Sequence, residues 1–151
     1  MIMKELLKIK IASRRRYALF IMLAAMVVLG FTIFDMINHS NDQTMVAFNW
    51  IIIVVSGVLM LFGMYITIGA SLDLGQLKKD KAPVIKAQFI KYNRRGISTK
   101  DKNEVVYTGQ VFIDLEDDSE KMLIVSNVDI NKKYKIMYGK HTNIGVVIEK
   151  L

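Results

Sequence analysis

The chain has no cysteine. That excludes a disulfide framework, thiolate metal sites, a cysteine nucleophile and a lipid-modified cysteine. There is one proline, Pro83, and only two histidines, His39 and His141. The most informative absence concerns charge. Lys and Arg number 21 in 151 residues, yet none lies between Tyr17 and Leu77. Six precede the gap (Lys4, Lys8, Lys10, Arg14, Arg15 and Arg16), and the others follow it, starting with Lys78, Lys79 and Lys81. Motifs that carry chemistry are missing as well. No Gly-x-x-x-x-Gly-Lys phosphate loop, paired-histidine metal motif or nucleophile elbow occurs. The expectation is therefore a non-enzymatic protein with no cofactor, no catalytic residue and no metal ligand. A membrane-bound hydrolase would need a clustered acid, base or metal set, and the sequence offers none.

What fills the gap in positive charge is largely apolar. Hydrophobic residues make up 52% of the chain, and the mean hydropathy is +0.30. Ala18–Phe34 contains no charge and a single aliphatic hydroxyl, Thr32. A helix of roughly 20 residues is about 30 Å long, which matches a bilayer core. Val46–Ile68 is also uncharged, with Asn49 and Trp50 near its start, where an interfacial aromatic belongs. A soluble helix of such length shows a polar face, and neither stretch has one. The pattern predicts two transmembrane helices, about 17–37 and 46–70, joined by a short outer loop, 38–45. Positive residues next to spans stay on the cytoplasmic side. Both termini are thus expected in the cytoplasm, in a multi-pass protein of the plasma membrane.

Residues 1–16 read as a basic cytoplasmic segment. Met3, Leu6, Leu7 and Ile11 fall at helical spacing, so a short surface helix among anionic headgroups is expected. The alternation Lys8-Ile9-Lys10-Ile11 is the competing strand reading. Ser13-Arg14-Arg15-Arg16-Tyr17 resembles a twin-arginine export pattern, but no Ala-x-Ala cleavage site follows the apolar run. Small residues are the expected packing points of the spans: Ala24, Ala25 and Gly30 in the first, Ser56, Gly57 and Gly63 in the second.

Asp73–Ala82 reads as a polar linker, with residues 73–83 forming the boundary. Residues 84–151 read as five short strands, predicting a small all-β domain of SH3-like or OB-like barrel type after a membrane α-helical hairpin. Ile85, Ala87 and Phe89 share one face; so do Val105, Tyr107, Val111, Ile113 and Leu115; so do Tyr134, Ile136 and Tyr138. Asn93–Gly96 reads as a turn, residues 97–104 as an exposed loop, and Gly109 as a bulge. Asp114, Glu116, Asp117, Asp118 and Glu120 lack the glycine and distal glutamate of a calcium loop and read as a solvated hairpin. His39 and His141 are expected on opposite membrane faces, with His141 in an exposed turn. Lys91, Tyr92, Arg94 and Arg95 form a basic surface for a membrane or a protein partner. The tail's twelve basic and nine acidic residues make nucleic acid a poor partner.

The segment Lys132–Val147, with Tyr134 and Tyr138, resembles one found in short bacterial two-helix membrane proteins of unknown function. Their proline-containing turn is replaced here by Gly139–Asn143. The plan is also similar to NfeD-like proteins, in which membrane helices precede an OB-type domain that partners stomatin-like scaffolds. A complete small architecture without chemistry leads to the expectation of an accessory protein whose β domain binds a partner in a membrane protein complex or a homo-oligomer. An immunity-type protein against an antimicrobial peptide or toxin is the alternative suggested by a small basic two-span chain.

The charge gap generates a test. Replacing Arg14, Arg15 and Arg16 together with acidic residues is expected to weaken or invert insertion. Cysteine labelling of single-cysteine variants in the 35–44 loop reads the result, and unchanged labelling would assign the orientation to Lys78–Lys81 instead.

Overall fold

The computed structural model describes residues 2–38, 43–97 and 105–151; the side chains of residues 43, 93–97 and 105–108 lie outside that description. The order of elements is α1 (Ile2–Asn38), α2 (Gln43–Lys78), β1 (Val84–Ile97), β2 (Val105–Asp114), β3 (Glu120–Val125), β4 (Lys133–Tyr138) and β5 (Ile144–Lys150). The chain divides into two compact units. One is Ala12–Ser71, and the other is Met1–Ile11 with Leu72–Leu151.

Both helices are longer than the apolar runs within them. α1 is one helix from Ile2, so residues 2–16 continue the first apolar run rather than forming a separate surface helix or a strand. α2 continues past Leu72 to Lys78, so half of the expected linker is helical. It stops in a Schellman turn. Lys81 N–H donates to Gln76 C=O (2.9 Å), Asp80 N–H donates to Leu77 C=O (3.3 Å), and Asp80 takes the left-handed conformation with φ 54°. Pro83 follows, where a helix cannot resume. Both helices are long and apolar enough, by length and composition, to cross a membrane.

Within Ala12–Ser71 the buried positions recur every seven residues. They are Ala18, Ala25 and Thr32 on α1, and Asn49, Ser56, Gly63 and Ala70 on α2. Seven residues are two helical turns at the coiled-coil period, which keeps one seam of each helix facing the other. Small side chains on that seam let the backbones approach. A Cβ on Gly63 would lie 3.2 Å from the Ala18 carbonyl oxygen and 2.5 Å from Met22 Cγ. Asn49 Nδ2 donates to Asp35 Oδ2 at 2.9 Å, so the polar seam residue is satisfied. Phe20, Phe31, Leu61 and Tyr65 are exposed on the outer faces.

The second unit contains a closed barrel of order β1-β2-β3-β5-β4. β1 is long enough to pair with β4 through Val84–Gln88 and with β2 from Ala87 to Ile97. Its last residues, expected as a turn, are therefore strand. Of the expected loop 97–104, Ile97 is strand and residues 98–104 lie outside the described residues. The barrel closes through a short parallel pairing, Ile124 with Ile144 and Val125 with Gly145. The core holds Ile85, Ala87, Phe89, Phe112, Leu123, Val125, Val128, Tyr134 and Ile136.

The expected inward faces of β1 and β4 are the buried ones. β2 departs from its expected face only in part: Val111 is buried as expected, but Phe112 of the other face is buried in the core, while Ile113 is half-buried and Leu115 exposed; the side chains of Val105 and Tyr107 lie outside the described residues. Apolar residues of both parities crowd β2, so alternation alone cannot set its phase. The Phe89–Phe112 ring pair, with centroids 5.2 Å apart in register, sets it. A register shift does fall beside Gly109, where pairing passes from Asn93–Gly109 to Arg94–Tyr107.

Gly145 sits on the closing seam, and a Cβ there would lie 2.9 Å from both Ile136 Cγ2 and Val125 Cγ2. Those branched side chains have little rotamer freedom. Gly145→Ala is expected to destabilise the barrel by about 1–3 kcal/mol through overpacking. Phe112→Ala should cost about 3–5 kcal/mol, and Ile130→Ala, at a half-exposed position, within about 0.5 kcal/mol. Denaturant unfolding of the intact protein in detergent measures all three.

Candidate functional site

The most concentrated polar chemistry in the described residues gathers around Asp73, in the last turns of α2. Its residue surface is 1% exposed. A carboxylate so placed is costly unless donors surround it. The turn between β4 and β5 supplies them. His141 N–H donates to Oδ1 and Oδ2 at 3.0 and 3.2 Å, and Thr142 N–H donates to Oδ2 at 2.8 Å. The Thr142 hydroxyl donates to Oδ2 at 2.7 Å. His141 Nδ1 stands 2.8 Å from Oδ1, which places the ring proton on Nδ1. Burial pushes the Asp73 carboxyl up, but the Thr142 hydroxyl, the His141 ring and the two backbone N–H groups together outweigh it. The net result is a value below the ordinary 3.8.

The turn is shaped for this contact. A Cβ on Gly139 would overlap Asp73 Oδ2 and Thr142 Oγ1, so only glycine fits. Asn143 N–H donates back to Gly139 C=O at 2.9 Å with Asn143 at φ 55°. The same Asn143 offers its C=O to Ile124 N–H at 2.7 Å, on the closing seam. His141 is therefore tied down, with its side chain 38% exposed. Sequence pattern places Asp73 in a linker and His141 in an exposed turn; His141 is exposed, but nothing local in the sequence joins the two residues. The signal that would have joined them is an acid immediately after an apolar helix paired with a Gly-x-His-Thr turn.

The other expected site residues are spread across the molecule. Lys4 is ion-paired with Asp80, Lys8 with Glu5 at 3.3 Å, and Lys10 Nζ donates to Ser126 Oγ at 3.0 Å. Lys78 ends α2 and Lys79 and Lys81 follow it, all three exposed; Arg14 and Arg15 are half-buried on α1, and Arg16 is exposed. Ala25, Ser56 and Gly63 lie on the buried seven-residue seam. Ala24 and Gly30 are exposed, and Gly57 is half-buried with open space where a Cβ would go. Lys91 and Tyr92 are exposed on β1, with the Tyr92 ring edge-on to Phe89 at 4.9 Å. The side chains of Arg94 and Arg95, and all of His39, lie outside the described residues.

The acidic hairpin after β2 is internally paired. Asp114 is buried and bonded to Lys121 at 2.5 Å, and that carboxylate holds the lysine above its usual range. Ser119 donates its N–H to Asp117 at 3.0 Å. No group of His, Asp and Glu that could hold a metal occurs among the described residues. Comparison with protein-family models, curated proteins and solved structures returns no match.

The Asp73 clasp has a calculable pH signature. Its folded pKa is below the unfolded one, so its stabilisation is complete above about pH 5 and is lost as pH falls through the folded value. Asp73→Ala, which leaves several buried donors unpaired, is expected to cost about 3 kcal/mol near neutral pH. Asp73→Asn should flatten the acid limb of stability. Unfolding midpoints of both variants between pH 2 and pH 6, set against the parent, check the pair of expectations.

Proposed function

We propose that this chain is a non-enzymatic accessory membrane protein whose barrel binds a protein partner at the cytoplasmic face of the plasma membrane. The observation that carries the reading is how the buried polar groups are used. Asp73 and Asp114, both carboxylates buried in the barrel unit, are saturated by neighbouring donors and fasten one segment to another. They hold the fold rather than facing a substrate. The helical hairpin supplies two apolar helices of spanning length, and its charge gap supports an inward orientation for both termini. Anionic headgroups are the natural counter-charge for Arg14–Arg16 and Lys78–Lys81. The parallel β3–β5 pair within an otherwise antiparallel barrel supports an OB-like over an SH3-like reading, and OB-type barrels work through their surface strands and loops.

Photo-crosslinking in intact membranes tests it. A crosslinker at Met122 or Ile130, both exposed on the barrel unit, is expected to form a discrete adduct with one protein. The same group at Phe31, on an outer face of the hairpin, should give a different pattern. Adducts with lipid or with the chain itself alone, from both barrel positions, would reject partner binding.

A further inference from the structure

β5 is paired along most of its length on one side only. Against β4 its pairing runs from Gly145 to Lys150. Against β3 it covers Ile144 and Gly145 alone. β3 ends at Val125, and the chain then bends, with Asn127 at φ 61°. On that side, residues 146–150 have no neighbouring strand among the described residues. They line a groove of about 550 Å³ instead. The facing wall is helical: Met3, Leu6 and Lys10 of α1. All of these residues belong to the same compact unit.

A sheet edge beside a helix is a receptor for extended chain. The edge offers backbone donors and acceptors to an added strand, and the helix offers side-chain contacts. Five residues of strand span about 17 Å, so the free stretch accommodates a short segment. Met3 and Leu6 are 39% and 40% exposed, and Val147 and Ile148 are half-buried, which makes the middle of the groove apolar. One end is cationic: there the Lys10 ammonium donates to the neutral Ser126 hydroxyl. At the other end Lys150 is ion-paired with Asp129 at 3.5 Å. Glu149 is the one acidic residue in the lining.

We propose that this groove takes an extended segment of a partner protein, added as a strand along residues 146–150, with apolar side chains against Met3 and Leu6 and a carboxylate at Lys10. The proposal rests on the partner-binding reading above and gives it a place and a ligand chemistry. An acyl chain would leave the polar edge unused, and a helix would not reach its backbone groups.

The intact protein in detergent micelles is screened against a displayed library of random twelve-residue peptides, and the most enriched peptide is synthesised. The expected sequence alternates apolar residues and carries an acidic one at one flank. Its addition should slow amide hydrogen exchange within 146–150. Leu6→Arg, which fills the groove, and Lys10→Glu should each weaken binding at least tenfold, while Glu116→Ala, at an exposed position in the hairpin after β2, leaves it unchanged. If Leu6→Arg fails to fold, Lys10→Glu and the exchange map still decide the matter.

The groove assignment is overturned if no peptide is enriched, if protection appears only elsewhere on the barrel, or if both variants bind like the parent. Slowing of the same amides by phosphatidylglycerol vesicles alone would assign the groove to lipid. Loss of a dimer in Leu6→Arg would assign it to a second copy. Either result also overturns the proposal. Peptide protection elsewhere on the barrel leaves partner binding standing, whereas the absence of any protein adduct at Met122 and Ile130 removes partner binding itself.

Discussion

A carboxylate that is almost fully removed from water dictates much of the barrel unit. Asp73 is desolvated, and an unpaired charge in that position would cost several kcal/mol. Its stability as an anion requires the backbone of residues 141 and 142 and the Thr142 hydroxyl to converge on it. That convergence shapes the turn from Gly139 to Asn143. The turn in turn delivers Asn143 C=O to Ile124 N–H and begins β5 at the seam where the barrel closes. One ionised side chain at the end of a helix is thus linked, bond by bond, to the closure of a sheet remote in sequence.

The helical unit meets a different physical problem. Long apolar stretches would gain little from hydrophobic association inside a bilayer, where close packing and a few hydrogen bonds hold helices together. The seven-residue seam of Ala, Ser, Thr and Gly answers this by bringing backbones within reach. Asn49 and Asp35 add a directional pair. Bulky residues point away from the seam, which is why Phe20, Phe31 and Leu61 are exposed rather than interlocked.

Large features were legible in the sequence because they depend on sums over many residues. The two long apolar helices follow from runs without charge, and the five strands follow from alternation and turn residues. The phase of β2 was not legible, because Val111, Phe112 and Ile113 are all apolar and the decision rests on one ring contact with Phe89. The helical seam was hidden for a related reason. Adjacent small residues such as Ala24 and Ala25, or Ser56 and Gly57, differ only in which faces the partner helix, and a seven-residue period is visible only once Thr32, Asn49 and Ala70 are included. Asp73 was missed because its meaning lies in a partner 69 residues away. A polar residue after an apolar run reads locally as a linker, whereas its burial is a fact of the tertiary structure.

That separation has a consequence for how the molecule is made. A ribosome delivers the chain from the amino end at about 5–20 residues per second, so Asp73 emerges about 3–14 s before Thr142 exists to bind it. Throughout that interval the carboxylate can only be hydrated, and its helical turn must stay in contact with water. Leu7 and Ile11, buried in the finished barrel unit, wait longer still for the strands that follow. The Asp73 carboxylate is therefore wet at birth and dry once the turn from Gly139 to Asn143 has closed on it.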